Sequence, residues 1–225
     1  DKKDPAFARW SASGLAGVWA EENTREAIFN ALHRKETFAT TGSRIRVRFF
    51  AGYDYPSALL DDGNLLTKAY QKGVPMGRDL KASGKKSPKF LVWAMRDPDA
   101  APLQRLQIIK GWVQAKKSFE KVFDIACSDG LKPDPATHRC PDNGATVNTA
   151  DCSYSSDKGD SHLRTLWQDP TFTAGQRAIY YVRVLENPTC RWSTWDAIRA
   201  RVPPNPRLKK TIQERAWSSP IWYLP

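Results

Sequence analysis

A mainly β fold, a β-sandwich-like domain preceded by a short strand–helix–strand piece, is what the sequence predicts, and three observations predict it. Apolar and polar residues alternate strictly in several runs, as in Arg44-Ile45-Arg46-Val47-Arg48-Phe49, the pattern of a strand with one buried and one wet face. Asp-Pro and Gly turns punctuate those runs, at Asp97-Pro98, Asp169-Pro170 and Asp61-Asp62-Gly63, as in an all-β chain. After Lys35 few windows show helical spacing, so sheets packed on sheets are the architecture that buries the apolar faces.

The first element is a short apolar strand end at Gly17 to Ala20. Asn23 followed by Glu26 reads as a capping box for a helix, in which each side chain satisfies an orphan backbone N–H. Ala27, Ile28, Ala31 and Leu32 then share one helical face, and Arg34 and Lys35 suit the negative end of the dipole. Glu36 to Thr41 is β-prone and ends in a turn at Gly42. In the strand that follows, Ile45, Val47 and Phe49 point inward and the arginines outward. Residues 53–88 are rich in turn signals and read as loop.

Strands recur from there. Phe90 to Met95 is one. Leu103 to Val113 follows, with Leu106, Ile108 and Trp112 directed to the core. Ser118 to Cys127 alternates through Phe119, either Val122 or Phe123, and Ile125. His162 to Trp167 and the long run Arg177 to Leu185 add two more, and Glu214 to Tyr223 reads as a closing strand after a three-proline linker at 201–206. No internal repeat is present.

Charge and cysteines bound the function. The net charge of +11 favours anionic partners in general. The basic residues are spread along the chain, however, and the one compact cluster, Lys81, Lys85, Lys86 and Lys89, reads as a solvated loop, so nucleic acid is not an expected partner. No apolar run approaches the roughly 18 residues of a membrane span. Without an initiator Met or a signal peptide, the sequence reads as starting inside a larger gene product or after processing. Cys127, Cys140, Cys152 and Cys190 suggest disulfides stapling a Pro/Asp/Gly-rich loop at 127–158, and with them a periplasmic or secreted protein. The pairing is open, and a zinc site built from Cys127, His138, Cys140 and Cys152 is the alternative.

Catalytic patterns are sparse. His33, His138 and His162 fall in no metal-binding or metalloprotease spacing, and neither a serine elbow nor a Walker loop is present. Glu21 and Glu22 sit at a strand-to-helix junction, where barrel enzymes place functional groups and where acids also complement a helix dipole. Arg44, Arg46 and Arg48 form an anion-binding candidate or a solvated strand face. Trp192, Trp195, Trp217, Trp222 and Tyr223 form a candidate carbohydrate-stacking platform.

The run Gly14 to Leu32 with Glu36-Thr-Phe-Ala-Thr-Thr41-Gly42 resembles the end of a PHP-type (polymerase and histidinol phosphatase) metallohydrolase barrel. Together with Ile108-Ile-Lys-Gly-Trp112, Tyr180-Tyr-Val-Arg-Val-Leu185, Arg191-Trp-Ser-Thr-Trp-Asp196 and Gln213 to Trp222, it resembles the bacterial domain-of-unknown-function family thirty-six-oh-four, in which such a barrel precedes a β-rich domain. The resemblance implies residues 1–43 as a barrel remnant and 44–225 as a β-sandwich-like accessory domain. It implies a divalent metal, Zn or Mn, in the preceding barrel and no cofactor or metal ligand in this segment. Activity would then be that of a metal-dependent, phosphoesterase-like hydrolase whose catalytic residues lie upstream, this segment giving structure or substrate access. Glu21, Glu22, Arg25, Thr41 and Arg44 become the residues nearest substrate. The expected partners are the missing barrel and, through the apolar edge it leaves, a second copy of the chain. The alternative is a free-standing binding module for carbohydrate or cell-envelope material.

Overall fold

The computed structural model describes Trp10 and residues 13–225; the first residues of the 1–43 segment lie outside the described part. The alternation at Arg44–Phe49 becomes strand β3 (Arg46–Gly52), whose Val47, Phe49 and Ala51 are fully buried. β3 pairs with β6 (Lys89–Met95), and β6 with β9 (His162–Gln168). With β4 (Gly73–Pro75) on the other edge, they make a four-stranded sheet in the order β4-β3-β6-β9. Phe90, Val92, Ala94 and Leu163 share the inner face with the β3 residues.

The second sheet has eight strands, built around β10 (Ala178–Glu186). One side of β10 pairs along its length with β7 (Leu103–Gln114), which pairs in turn with β8 (Lys117–Cys127). The other side is shared end to end by β13 (Arg215–Ser218) and β14 (Ile221–Leu224). The sequence reads this stretch as one closing strand. It is two, because Pro220 falls between them and has no N–H to give the ladder. β13 carries β2 (Thr37–Thr40) and then β1 (Leu15–Val18), while β14 carries β5 (Asp79–Lys81) in parallel. The strand–helix–strand piece therefore continues the large sheet.

Leu106, Ile108, Phe123, Ile125, Val182, Val184, Ala216 and Ile221 from the large sheet meet the inner face of the small one in one apolar core. This is the face-to-face packing of a sandwich. A second cluster lies on the outer side of the small sheet, where Phe50 and Leu91 are covered by a 3-10 turn (Ser57–Asp61) and α2 (Leu65–Lys72). The sequence reads 53–88 as loop, and α2 is the correction. Eight residues cannot hold a helix by propensity alone; burial of Leu65 and Ala69 against the sheet stabilises it.

Two further differences concern helices. α1 (Arg25–His33) is capped by Thr24, not Asn23: the Thr24 hydroxyl accepts from the Ala27 N–H at 3.3 Å. Of its expected buried face only Ala31 is buried, and Leu32 is exposed. The stretch of Trp192 and Trp195, to which the sequence reading assigns no element, forms α3 (Trp192–Ala200) beside a two-stranded ribbon of β11 (Thr189–Cys190) and β12 (Thr211–Ile212).

The cysteine loop is stapled twice. Cys127 is bonded to Cys140 and Cys152 to Cys190, so the alternative zinc grouping has no thiolate to offer. Between the staples Asp129 accepts from the Gly159 N–H at 3.0 Å and the Asn143 amide at 3.2 Å. Asn143 also donates to Asn187 at 2.9 Å, which fixes the loop to the end of β10.

Candidate functional site

At the corner where β1, α1 and β3 meet, buried Glu36 gathers basic and hydroxyl groups. It accepts from Arg34 Nε at 3.1 Å and from the Tyr70 hydroxyl, and lies 3.5 Å from Arg48 Nη1. Arg48 donates to Tyr70 at 2.9 Å and lays its guanidinium 3.4 Å from the centre of the Trp19 ring, a cation–π contact in a partly desolvated place. The Trp19 indole N–H donates to the Val47 carbonyl at 2.7 Å, and Arg34 donates to the Trp19 carbonyl at 2.9 Å. Burial, and then Glu36, pushes the Tyr70 hydroxyl up to about 12; burial lowers the Arg48 guanidinium from its ordinary value. Glu21 borders this corner, whose open volume is about 360 Å³. With Glu21 at its border, the corner sets two guanidinium groups against two carboxylates, a balanced polar cluster with Tyr70 and Trp19 in its wall.

The five residues expected nearest substrate are not brought together. Glu21 lines the corner, but Glu22 and Arg25 are exposed at the start of α1, where Glu22 accepts from Thr24 at 3.1 Å. Thr41 is tied to β13, its hydroxyl accepting from the Arg215 N–H at 2.9 Å. Arg44 gives its backbone N–H to Asp97 at 2.8 Å while its side chain is exposed. Glu36 and Tyr70, central to the corner, were not singled out by sequence reasoning. Glu36 entered only as the first residue of the β-prone Glu36–Gly42 run, with no role of its own, and Tyr70 lies on the unexpected helix α2.

A second concavity opens on the outer face of the large sheet. Alternate positions of β7, β10 and β14 place Gly111, Val113, Ile179, Tyr181 and Trp222 around a groove of about 460 Å³, with Glu120 and Arg177 also lining it. At Gly111 a Cβ would stand 3.0 Å from Ile179 Cγ1, so a larger residue there would press on Ile179 and narrow the groove. The aromatic platform expected from the sequence does not assemble: Tyr223 is in the core and Trp192 and Trp195 are on α3. Of those five aromatics only Trp222, 43% exposed, lines the groove. The three histidines are also apart: His33 stacks on Phe29 in α1, His138 packs on Phe123, and His162 opens β9. Among the described residues no three His, Cys, Asp or Glu side chains are placed to hold a metal ion.

Two mostly antiparallel sheets packed face to face, with a doubly stapled connection, define the class of fold. The chain belongs to the family described as Protein of unknown function (DUF3604), which matches residues 2–225. No curated protein and no solved structure matches it. No helix among the described residues is long and apolar enough to cross a membrane.

Proposed function

We propose that this chain is the β-rich accessory part of a metal-dependent, phosphoesterase-like hydrolase, whose β1–α1–β2 unit, within the barrel remnant 1–43, docks against the rest of a PHP-type barrel. The observation that carries this reading is the apolar surface of that unit. Phe29 is 64%, Leu32 51% and Leu15 45% exposed, and β1 pairs with β2 alone at the end of the large sheet. An apolar helix face beside a free strand edge is a surface that proteins cover with another domain or a second copy. The residues described here do not fit a divalent metal, since the histidines are dispersed and the cysteines bonded to each other. In this reading the Zn or Mn belongs to the barrel, and no step passes through a metal held by this chain. The Glu36 corner, beside the docking face, then borders the substrate's approach with paired guanidinium and carboxylate groups. Two disulfides support a periplasmic or secreted setting. The test is association of this chain with the separately produced barrel: Phe29→Asp with Leu32→Asp weakens it, and unchanged association overturns the reading.

A second reading has one observation in its favour, the outer-sheet groove with Trp222 and Tyr181. An exposed indole beside a phenol suits stacking on a sugar ring, as in a carbohydrate or cell-envelope binding module. Glycan binding lost on Trp222→Ala supports it, and glycan binding unaffected by that change removes it.

A further inference from the structure

The register of the small sheet brings together cations that lie far apart in the sequence. Arg46 of β3 stands opposite Met95 of β6, and Met95 opposite His162 of β9; one row along, Trp93 stands opposite Arg164. All point to the outer face, because Val47, Ala94 and Leu163 between them point into the core; Trp93 borders the apolar cluster beneath α2, and the others lie beyond it. Arg96 joins them at the end of β6, and the side chains surround a concavity of about 400 Å³ whose lining contains no carboxylate. Arg46 and His162 are two strand spacings apart, roughly 10 Å, so one tetrahedral oxyanion with an organic substituent spans them.

The donors in this site are incompletely used. The Arg46 guanidinium has no partner among the described residues. Arg96 spends one N–H on the Pro98 carbonyl at 2.9 Å. Arg164 meets only Asp61 at 3.4 Å, an ion pair whose carboxylate is almost wholly exposed and therefore a weak competitor. His162 Nδ1 lies 3.3 Å from the Ser161 hydroxyl, which leaves Nε2 for a ligand. In the wall, the Trp93 indole N–H is buried without an acceptor, a deficit that interiors rarely tolerate. Three arginines line one concavity with no carboxylate in the lining itself, which favours an anion there. Trp93, Met95 and Pro98 supply an apolar wall that a bare ion would not use.

We propose that this face binds an organic phosphate or sulfate monoester, with Arg46 and Arg164 as the principal oxyanion donors, Arg96 and His162 beside them, and Trp93 against the organic group. The inference stands on the sheet face alone and does not use the accessory-domain reading. Calorimetric titration at low salt with p-nitrophenyl phosphate and p-nitrophenyl sulfate, beside inorganic phosphate and inorganic sulfate, tests it. Saturable binding of at least one ester is expected, tighter than that of the matching inorganic ion. Arg46→Gln and Arg164→Gln should each weaken it about tenfold, the loss of one charge-assisted hydrogen bond, while Lys117→Gln on the other sheet leaves it unchanged. Both arginines are exposed, so their replacement leaves the fold intact, which circular dichroism verifies. Absence of saturable binding, binding indifferent to the two arginines, or equal affinity for the bare ions would overturn the assignment. Whichever ester binds more tightly identifies the source of the oxyanion.

Discussion

The Lys110 ammonium donates to Asp169 Oδ2 across 2.6 Å, with both groups sealed between the two sheets. Lys110 sits at an inward position of β7, where an apolar residue would be expected, and Asp169 opens the turn after β9. Lys110 also donates to the Thr171 carbonyl at 2.9 Å, and the Tyr180 hydroxyl donates to Asp169 at 2.8 Å. The pair thus ties the large sheet to the end of the small one through hydrogen bonds that meet its desolvation cost. Lys110→Ala, which strands the carboxylate, should lower stability by about 3–5 kcal/mol. Urea unfolding measures it, and Lys110→Met combined with Asp169→Leu should recover most of the loss.

The same pair sets an acid limit. Burial alone raises the Asp169 carboxyl, but Lys110 and Thr171 outweigh it and hold the group below its ordinary value. A carboxylate with a lowered folded value contributes stability that is fully present above the unfolded value and is lost as pH falls through the folded one. Asp169→Asn should therefore cost most at neutral pH and progressively less in acid, as chemical denaturation over a pH series would show.

Glu186 behaves in the opposite sense. Burial, and then the charges of Glu214 and Asp97, push its carboxyl up to about 7, and one of its oxygens is buried without a partner. Between about pH 4.5 and 7 the folded protein keeps a proton that the unfolded chain releases, so stability from this group falls as pH rises through that window. Glu186→Gln removes the penalty: it should gain about 3 kcal/mol at pH 8 and nothing at pH 4. Thermal unfolding at the two pH values checks it, and an equal effect at both would contradict it.

The two disulfides should differ in worth. Cys152–Cys190 spans 38 residues and Cys127–Cys140 spans 13, and loop-closure entropy makes the longer one worth about 4 kcal/mol against about 3 for the shorter. Paired Cys→Ser variants, unfolded in urea without reductant, give the order directly.

Gly77 is the backbone contact between β4 and the turn after α1. Its φ is +85°, and a Cβ there would stand 2.2 Å from the Lys35 carbonyl oxygen. Gly77→Ala should cost about 1–3 kcal/mol from strain alone and loosen α1 against the sheet, visible as faster amide exchange at residues 28–36.

Much of the sandwich was legible because its strands carry a strict period of two. Ile45, Val47, Phe49, Leu106 and Ile108 are all buried as their alternation requires. The misreadings fall where local signals are short. α2 and α3 have eight and nine residues and depend on tertiary burial, and Pro220 divides a run whose pattern is continuous. The sites were less legible, for a topological reason. The Glu36 corner joins positions 34, 36, 48 and 70, and the basic face joins 46, 96, 162 and 164. Only strand register makes these residues neighbours. Arg46 alone could equally be a solvated arginine; Arg46 beside His162 and Arg164 is a different object.

The central claim is that the metal chemistry lies outside this chain, in a barrel docked on the Phe29 and Leu32 face. Elemental analysis by plasma mass spectrometry, on the protein extended by its barrel and on residues 1–225 alone, tests it most directly. Stoichiometric zinc or manganese in the extended protein and none in residues 1–225 is the predicted result. Stoichiometric metal retained by residues 1–225 would contradict it.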